Sequence, residues 1–254
     1  MLAFDPEPKY TSDHIRNPPL VEKGEGIILE SGLIIIDNFL TRESCASLRE
    51  WIDDEKNKEE IYTKWSEKSF EKKKICRHWD FPLSDYIIEI MGINKESVSG
   101  FYPSHINPCW RFVKIERKTN EIYSMSYHFD SKYIQSVDCI SKYTVMIYLS
   151  DHNEPLEIRR DGCTEFIKPR EGRLLIFNQD FVHRAQATNT TKYFIRSEVM
   201  FKRVKPISHI DNNSLAMKFF DEAHLCYYND PNRSLQLEKQ AYQLSPLLED
   251  IAFQ

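Results

Sequence analysis

No two cysteines in this chain have the Cys-x-x-Cys spacing, no stretch approaches eighteen consecutive apolar residues, and glycine numbers only 7. The 6 cysteines (Cys45, Cys76, Cys109, Cys139, Cys163, Cys226) are scattered too widely for a disulfide framework and read as reduced thiols filling core. The N-terminus, "MLAFDPEPKY", has no positive start followed by an apolar run. Together with the missing long apolar stretch, that predicts no membrane partner and an intracellular, cytoplasmic location. Basic charge is also short. Against 39 Asp+Glu stand 34 Lys+Arg, a formal charge of -5 with a pI near 5.9. No overall basic field exists to capture nucleic acid, and none is expected as a partner. The local cluster Lys64, Lys68, Lys72, Lys73, Lys74 and Arg77, interleaved with Glu67 and Glu71, reads as a solvated helix face.

What the chain has is enough length, 254 residues, to bury a core, and a pattern that changes period along it. Residues 1–25 are rich in proline and charge without periodicity and read as an irregular arm. A support region of strands and helices is expected over 26–104. "GIILESGLIIIDNFL" reads as two short strands, Thr41 as an N-cap, and Cys45, Leu48 and Ile52 as one helical face ending near residue 55. A second helix is expected after Pro82, with Ile87, Ile88 and Met91 inward. From Trp110 the period becomes that of strands: "WRFVKIER", "EIYSMSYHF", "KYTVMIYLS", "CTEFIK", "GRLLIFN" and "KYFIRSEVMFKRV". These predict an antiparallel sandwich or barrel, a mainly β fold with flanking helices, whose core spans 105–204. A helical C-terminal extension follows over 205–254, with Leu215, Phe219, Ala223 and Tyr227 on one face and Leu237, Ala241 and Leu244 on another.

Within the β region, "YHFDSKY" places His128 and Asp130 two residues apart, so both can aim to one side of an extended segment. A His-x-Asp pair arises easily by accident, and "SHID" supplies a second at His209 and Asp211. Their surroundings separate them. Fifty-three residues after Asp130, across three expected strands, His183 ends the apolar run "GRLLIFNQDFVH". Thirteen residues further, Arg196 sits inside the strand "KYFIRSEVMF", on the face opposite Ile195 and Val199. From Asp211 the next histidine, His224, is only thirteen residues away with no strand framework between. Two histidines and a carboxylate on one face leave coordination positions open, the arrangement of non-heme Fe(II) oxygenases. An arginine inside an apolar strand requires an anion, and its fork suits a carboxylate. Lys192 is the rival anion partner, but it stands at the start of the strand.

This ordered set resembles the Fe(II)- and 2-oxoglutarate-dependent dioxygenases, specifically the prolyl 4-hydroxylase-like family. The resemblance runs from "GLIIIDNFLTRESCASLREWID" through "NPCWRFVKIE", "YTVMIYLSD" and "DGCTEFIKPREGRLLIFNQDFVHRA" to "TKYFIRSEVMFKR". It implies a double-stranded β-helix (jelly-roll) core, His128, Asp130 and His183 as ligands of Fe(II), and Arg196 on the distal carboxylate of 2-oxoglutarate. Tyr123, Tyr127, Tyr143 and Thr144 become candidates for hydrogen bonds to the ligands or the cosubstrate. The implied reaction decarboxylates 2-oxoglutarate to succinate and hydroxylates a C–H bond, with ascorbate keeping the iron ferrous. Three departures stand out: Asp161-Gly162 where the family has two glycines, Ala185 where a glycine is common, and Met125 where an aromatic is common.

The expected substrate is a peptidyl residue, proline first. A free amino acid or small metabolite is the alternative for the same chemistry, and a non-catalytic binding or scaffold module the alternative of another class. Nucleic-acid demethylation fits poorly with the acidic charge, and halogenation with an aspartate at position 130.

Overall fold

The computed structural model describes residues 32–54, 71–90, 100–117, 125–186, 190–207, 212–227 and 229–253. The expected N-terminal arm, the first of the two expected early strands, Met91, Tyr123, His209 and Asp211 lie outside them. In chain order the elements are β1 (Leu33–Ile36), α1 (Arg42–Asp53), β2 (Glu71–Trp79), α2 (Phe81–Ile90), β3 (Phe101–Ile106), β4 (Cys109–Arg117), β5 (Ile134–Ser136), β6 (Cys139–Tyr148), β7 (Leu156–Arg160), β8 (Cys163–Ile167), β9 (Leu174–Asn178), β10 (Val182–Ala185), β11 (Lys192–Arg203), α3 (Asn213–Cys226), α4 (Pro231–Leu244) and α5 (Pro246–Phe253). Contacts divide the chain into two compact units. One contains the described residues within 1–94, 105–130 and 143–199; the other contains those within 95–104, 131–142 and 200–254.

The first unit holds two sheets. The larger has the order β1-β9-β6-β11-β4-β2, the smaller β10-β7-β8, with antiparallel pairing in β1/β9, β6/β9, β11/β4, β4/β2, β10/β7 and β7/β8. An isolated antiparallel bridge adds His128 to the free side of β10. The resulting orders, β9-β6-β11-β4 opposite His128-β10-β7-β8, are those of a double-stranded β-helix, so the mainly β jelly-roll expectation holds. Tyr148, Leu156, Ile158, Ile167, Leu175 and Phe177 fill the space between the sheets. Helix α1 begins where expected, Thr41 Oγ1 accepting from Ser44 N at 3.1 Å, and buries Cys45, Leu48 and Ile52 completely. Its Trp51 ring packs on Phe112 at 4.8 Å and His78 at 5.6 Å, so α1 backs one face of β4 and β2. Asp80 caps α2 by accepting from Leu83 N at 2.9 Å. Here Leu83 and Ile87 are the fully buried anchors and Ile88 is only partly covered, because the buried stripe lies at spacing four from Leu83.

Several expectations are corrected. Glu71–Trp79 is a strand, not a helix face; pairing nine residues with β4 outweighs its charged composition. The described end of "EIYSMSYHF" is not a strand: residues 125–127 are irregular and His128 makes one bridge. The segment between His152 and Asp161, to which the sequence pattern assigns no strand, contains β7. Asp161 (φ 50) and Gly162 (φ 76) form a two-residue turn joining Arg160 and Cys163, a conformation that an Asp-Gly pair accepts readily. Gly172 is required for a different reason: with φ 77, a Cβ there would lie 2.2 Å from the Leu40 carbonyl oxygen.

In the second unit β5 pairs with the first residues of β6, and α3, α4 and α5 form a helical group. Asp230 caps α4, with Pro231 at its first turn. The buried face of α3 is Ala216, Phe220 and Ala223, whereas Leu215 and Tyr227 are exposed. The face is rotated from the expected one towards α4, which packs against α3 with the Phe220 and Tyr242 rings 6.2 Å apart. None of the helices, among the described residues, is long and apolar enough to cross a membrane.

Candidate metal centre

His128 and His183 exchange both backbone hydrogen bonds, His128 N to His183 O at 3.0 Å and His183 N to His128 O at 2.9 Å. Residues facing each other across an antiparallel bridge share a side, and the two imidazole centroids lie 4.4 Å apart. Each ring is then oriented the same way. His128 Nδ1 lies 2.9 Å from Ser126 O, and His183 Nδ1 lies 2.9 Å from Phe181 O. A carbonyl oxygen only accepts, so both Nδ1 atoms carry the proton and both Nε2 lone pairs remain to coordinate a metal. Phe177, fully buried on β9, holds the His183 ring edge-on at 4.9 Å.

Asp130, two residues beyond His128, is 8% exposed. Its Oδ2 accepts from Thr144 Oγ1 of β6 at 2.6 Å and lies 3.7 Å from His183 Nε2, while Oδ1 faces Arg196 Nη2 of β11 at 2.7 Å. Burial alone would raise this carboxyl, but the Arg196 charge, His183 and the Thr144 hydroxyl outweigh it and hold Asp130 below the usual carboxylate range. Burial pushes His183 below its ordinary value against the pull of Asp130. The carboxyl is therefore ionised and the His183 ring neutral at pH 7, the states a divalent cation requires. One donor atom from each of His128, Asp130 and His183 lies within 4.8 Å of the others. A hard oxygen with two imidazole nitrogens on one side suits ferrous iron and related first-row ions.

The remaining expected residues divide. Thr144 and Arg196 converge on Asp130. Arg196 Nε is buried with no acceptor, so the guanidinium retains a donor for a further anion. Tyr143 is buried on β6, where alternation puts it on the face opposite Thr144. Tyr127 likewise points away from the imidazoles: its hydroxyl donates to Glu157 Oε2 at 2.5 Å, and its ring lies 3.6 Å from the Arg159 guanidinium and 4.5 Å from that of Arg184. Lys192 donates to Gln186 O rather than reaching the centre.

No protein-family model matches this chain, and no curated protein matches it. Solved structures similar to it include a Pseudomonas putida prolyl-4-hydroxylase (14% identity, covering 69% of this chain and 95% of that one, TM-score 0.46). A Trichoplax adhaerens prolyl hydroxylase, in complex with a hypoxia inducible factor oxygen degradation domain peptide fragment, matches at 14% identity, 69% and 85% coverage, TM-score 0.49. HygX from Streptomyces hygroscopicus, with nickel, 2-oxoglutarate and hygromycin B bound, matches at 9% identity, 69% and 85% coverage, TM-score 0.44.

Sequence reasoning missed Arg111, Glu157, Arg184 and Glu198. Glu157 is 3% exposed and held at about 2 by the hydrogen bond from Arg184, then those from Tyr127 and Gln186. Glu198, 4% exposed, pairs with Arg111 and accepts from Asn107 Nδ2 at 3.1 Å. An arginine or glutamate flanked by apolar residues inside a strand was the available signal, the same one that singled out Arg196.

Proposed function

We propose that this chain is an Fe(II)- and 2-oxoglutarate-dependent oxygenase that hydroxylates a peptidyl residue, proline first, while 2-oxoglutarate is decarboxylated to succinate. The observation that carries the reading is the pair of Nδ1-protonated imidazoles beside the ionised Asp130. His128 Nε2, an Asp130 oxygen and His183 Nε2 would hold the metal, and this donor set fits ferrous iron. When bound, iron with 2-oxoglutarate and O2 supplies the oxidising power for the C–H bond, and ascorbate would keep it ferrous.

The chain's own residues do the rest. Phe181 and Ser126 carbonyls fix the imidazole tautomers, and Thr144 fixes the Asp130 rotamer by its hydrogen bond to Oδ2. Arg196, one ion pair from the centre and with its Nε unused, would receive the distal carboxylate of 2-oxoglutarate and set the distance of its other end from the metal. The resemblance of the ordered motifs to the prolyl 4-hydroxylase-like family is what supports proline over a small metabolite. The test is succinate formation by purified protein with Fe(II), 2-oxoglutarate and ascorbate, beside His128→Ala. Succinate from the wild type that is abolished in H128A supports the reading. Absence of both succinate and 2-oxoglutarate-dependent thermal stabilisation of Mn(II)-loaded protein overturns it.

A further inference from the structure

Each imidazole of the cluster bonds the carbonyl two residues before it, Ser126 for His128 and Phe181 for His183. The Phe181 carbonyl has a support of its own. Phe181 closes the turn that leaves β9: its N–H donates to Asn178 O at 3.1 Å, and Asp180 N donates to Asn178 Oδ1 at 2.9 Å. Asn178 is tied to the residue before β1, its N–H donating to Gly32 O at 2.9 Å. Gly32 is buried with φ 65, and the Phe181 ring lies against it. A Cβ at position 32 would stand 2.6 Å from Phe181 Cζ and 3.0 Å from Cε2. Unstrained carbon pairs sit about 3.5–4 Å apart, so the ring occupies the space that a side chain at 32 would take.

A phenyl ring is rigid beyond Cβ, and this one also packs against the apolar cluster between the sheets. It does not yield at its tip alone. A displacement passes to the Phe181 Cα and so to its carbonyl, which His183 Nδ1 meets at 2.9 Å, and a hydrogen bond weakens steeply as donor and acceptor turn out of line. Phe177, edge-on to His183 at 4.9 Å, steadies the plane of the imidazole, but its side chain has no oxygen and does not choose which nitrogen carries the proton. That choice falls to Phe181 O.

We propose that Gly32 and Phe181 are positioning residues for the His128, Asp130 and His183 cluster: the missing Cβ at 32 seats the Phe181 ring, and the seated ring aims the Phe181 carbonyl at His183 Nδ1, which leaves Nε2 free to coordinate. This rests on the oxygenase reading in taking His183 as a metal ligand. Neither residue lends an atom to the metal, and Gly32 acts only through Phe181.

The test uses the full chain with nitrogen-15 in its histidines. Proton–nitrogen correlation spectra of the metal-free protein at pH 7.5 read the tautomer of each imidazole, and the EPR signal of free Mn(II) reads metal affinity. Wild type is compared with Gly32→Ala, Phe181→Leu, the double variant and Gly162→Ala. Gly162 is the control for backbone strain, because its φ is 76 and nothing lies within 4 Å of a Cβ there. G32A and F181L should each move part of the His183 population to the Nε2–H form while His128, held by Ser126 O, keeps its Nδ1 proton. Each should weaken Mn(II) about tenfold or more, the effect of losing a group that orients a metal-binding histidine. The double variant should bind no more weakly than the weaker single one, since both changes act through one ring. G162A should lower Tm and leave both tautomer and affinity unaltered. Phe181 is only partly covered, so F181L keeps the test decisive if G32A fails to fold. An unchanged His183 tautomer in F181L, a loss of affinity in G162A equal to that in G32A, additive losses in the double variant, or a shift of both imidazoles together overturns the assignment. A wild type that binds no Mn(II) overturns the reading of His183 as a ligand instead, and the tautomer comparison still decides the Gly32 seat.

Discussion

Replacing Arg196 by alanine in the metal-free protein separates a structural ion pair from one that a metal relieves. Asp130 is 5% exposed at its side chain and Arg196 23%. Removing one member of a buried pair leaves an uncompensated charge and costs about 3–5 kcal/mol. Two effects reduce that here. Arg196 is partly solvated, and its loss relieves the like charge of Arg111 opposite, at roughly 1 kcal/mol or less. The net loss should be about 2–3 kcal/mol, which for a chain of this length lowers Tm by roughly 4–12 °C. The sign with pH follows from Asp130. Its folded pKa lies below the unfolded value, so the stabilisation is complete above the unfolded carboxyl pKa and is lost as pH falls through the folded one. At pH 7 the full effect is present. Binding of Mn(II) puts two positive charges beside the same carboxylate, so R196A should gain more from the metal than the wild type and the gap should narrow. Thermal melts of both proteins, metal-free and Mn(II)-loaded, read this directly. A metal-free gap under about 1 °C, or the same gap in both forms, would refute the reasoning.

Two further outcomes follow from buried polar groups away from the His128, Asp130 and His183 cluster. Tyr127→Phe removes one donor from buried Glu157 and should cost about 1.5 kcal/mol of stability while leaving the KM for 2-oxoglutarate unaltered; a raised KM with an unchanged melt would place Tyr127 at the cosubstrate instead. His152, bonded to Ser150 Oγ at 2.8 Å and Thr190 Oγ1 at 3.0 Å, is lowered to about 4, first by burial and then by Lys192. The fold therefore holds it neutral, so its contribution is whole above the unfolded histidine pKa and declines as pH falls from about 6.5 towards 4, by about 2 kcal/mol at pH 5. Denaturant titrations at pH 7.5 and pH 5 should show that loss in the wild type and a flatter dependence in His152→Gln; parallel slopes would remove His152 as the cause.

The convergence of His128, Asp130 and His183 was legible because the chemistry of those residue types survives the loss of geometric detail. His128, Asp130, His183 and Arg196 are identified by type and order, and strand alternation predicts a shared side even though His128 turns out to make a single bridge rather than to end a strand. The α1 cap was legible for a similar local reason, Thr41 lying just before the Cys45, Leu48, Ile52 stripe. What escaped were elements whose composition contradicts their environment. Strand β2 carries Ile75, Arg77 and Trp79 on one face and Cys76 and His78 on the other; Cys76 is buried and His78 packs on Trp51, whereas Arg77 and Trp79 are exposed. This short alternation follows a run of four charged residues, which hides it in the sequence. Strand β7 escaped because Glu157 interrupts its apolar run, and the partners that justify a buried glutamate lie 27 and 30 residues away in sequence.

That glutamate also explains how two histidines from separate segments are held in register. Along β10, His183 and Arg184 alternate sides, and Arg184 faces Glu157 across the pairing with β7, Nη2 to Oε1 at 2.8 Å. Across the bridge, Tyr127 precedes His128 and sends its hydroxyl to the other oxygen of the same carboxylate, with its ring between the guanidiniums of Arg159 and Arg184. The described residues before Asp130, 125–129, have only the His128 bridge and no ladder of strand hydrogen bonds. A slip of one residue would turn His128 outward and Tyr127 inward, breaking the hydrogen bond to Glu157 and withdrawing the aromatic ring from both arginines. The charged clamp on one side of the sheet thus selects the register that puts both imidazoles on the other.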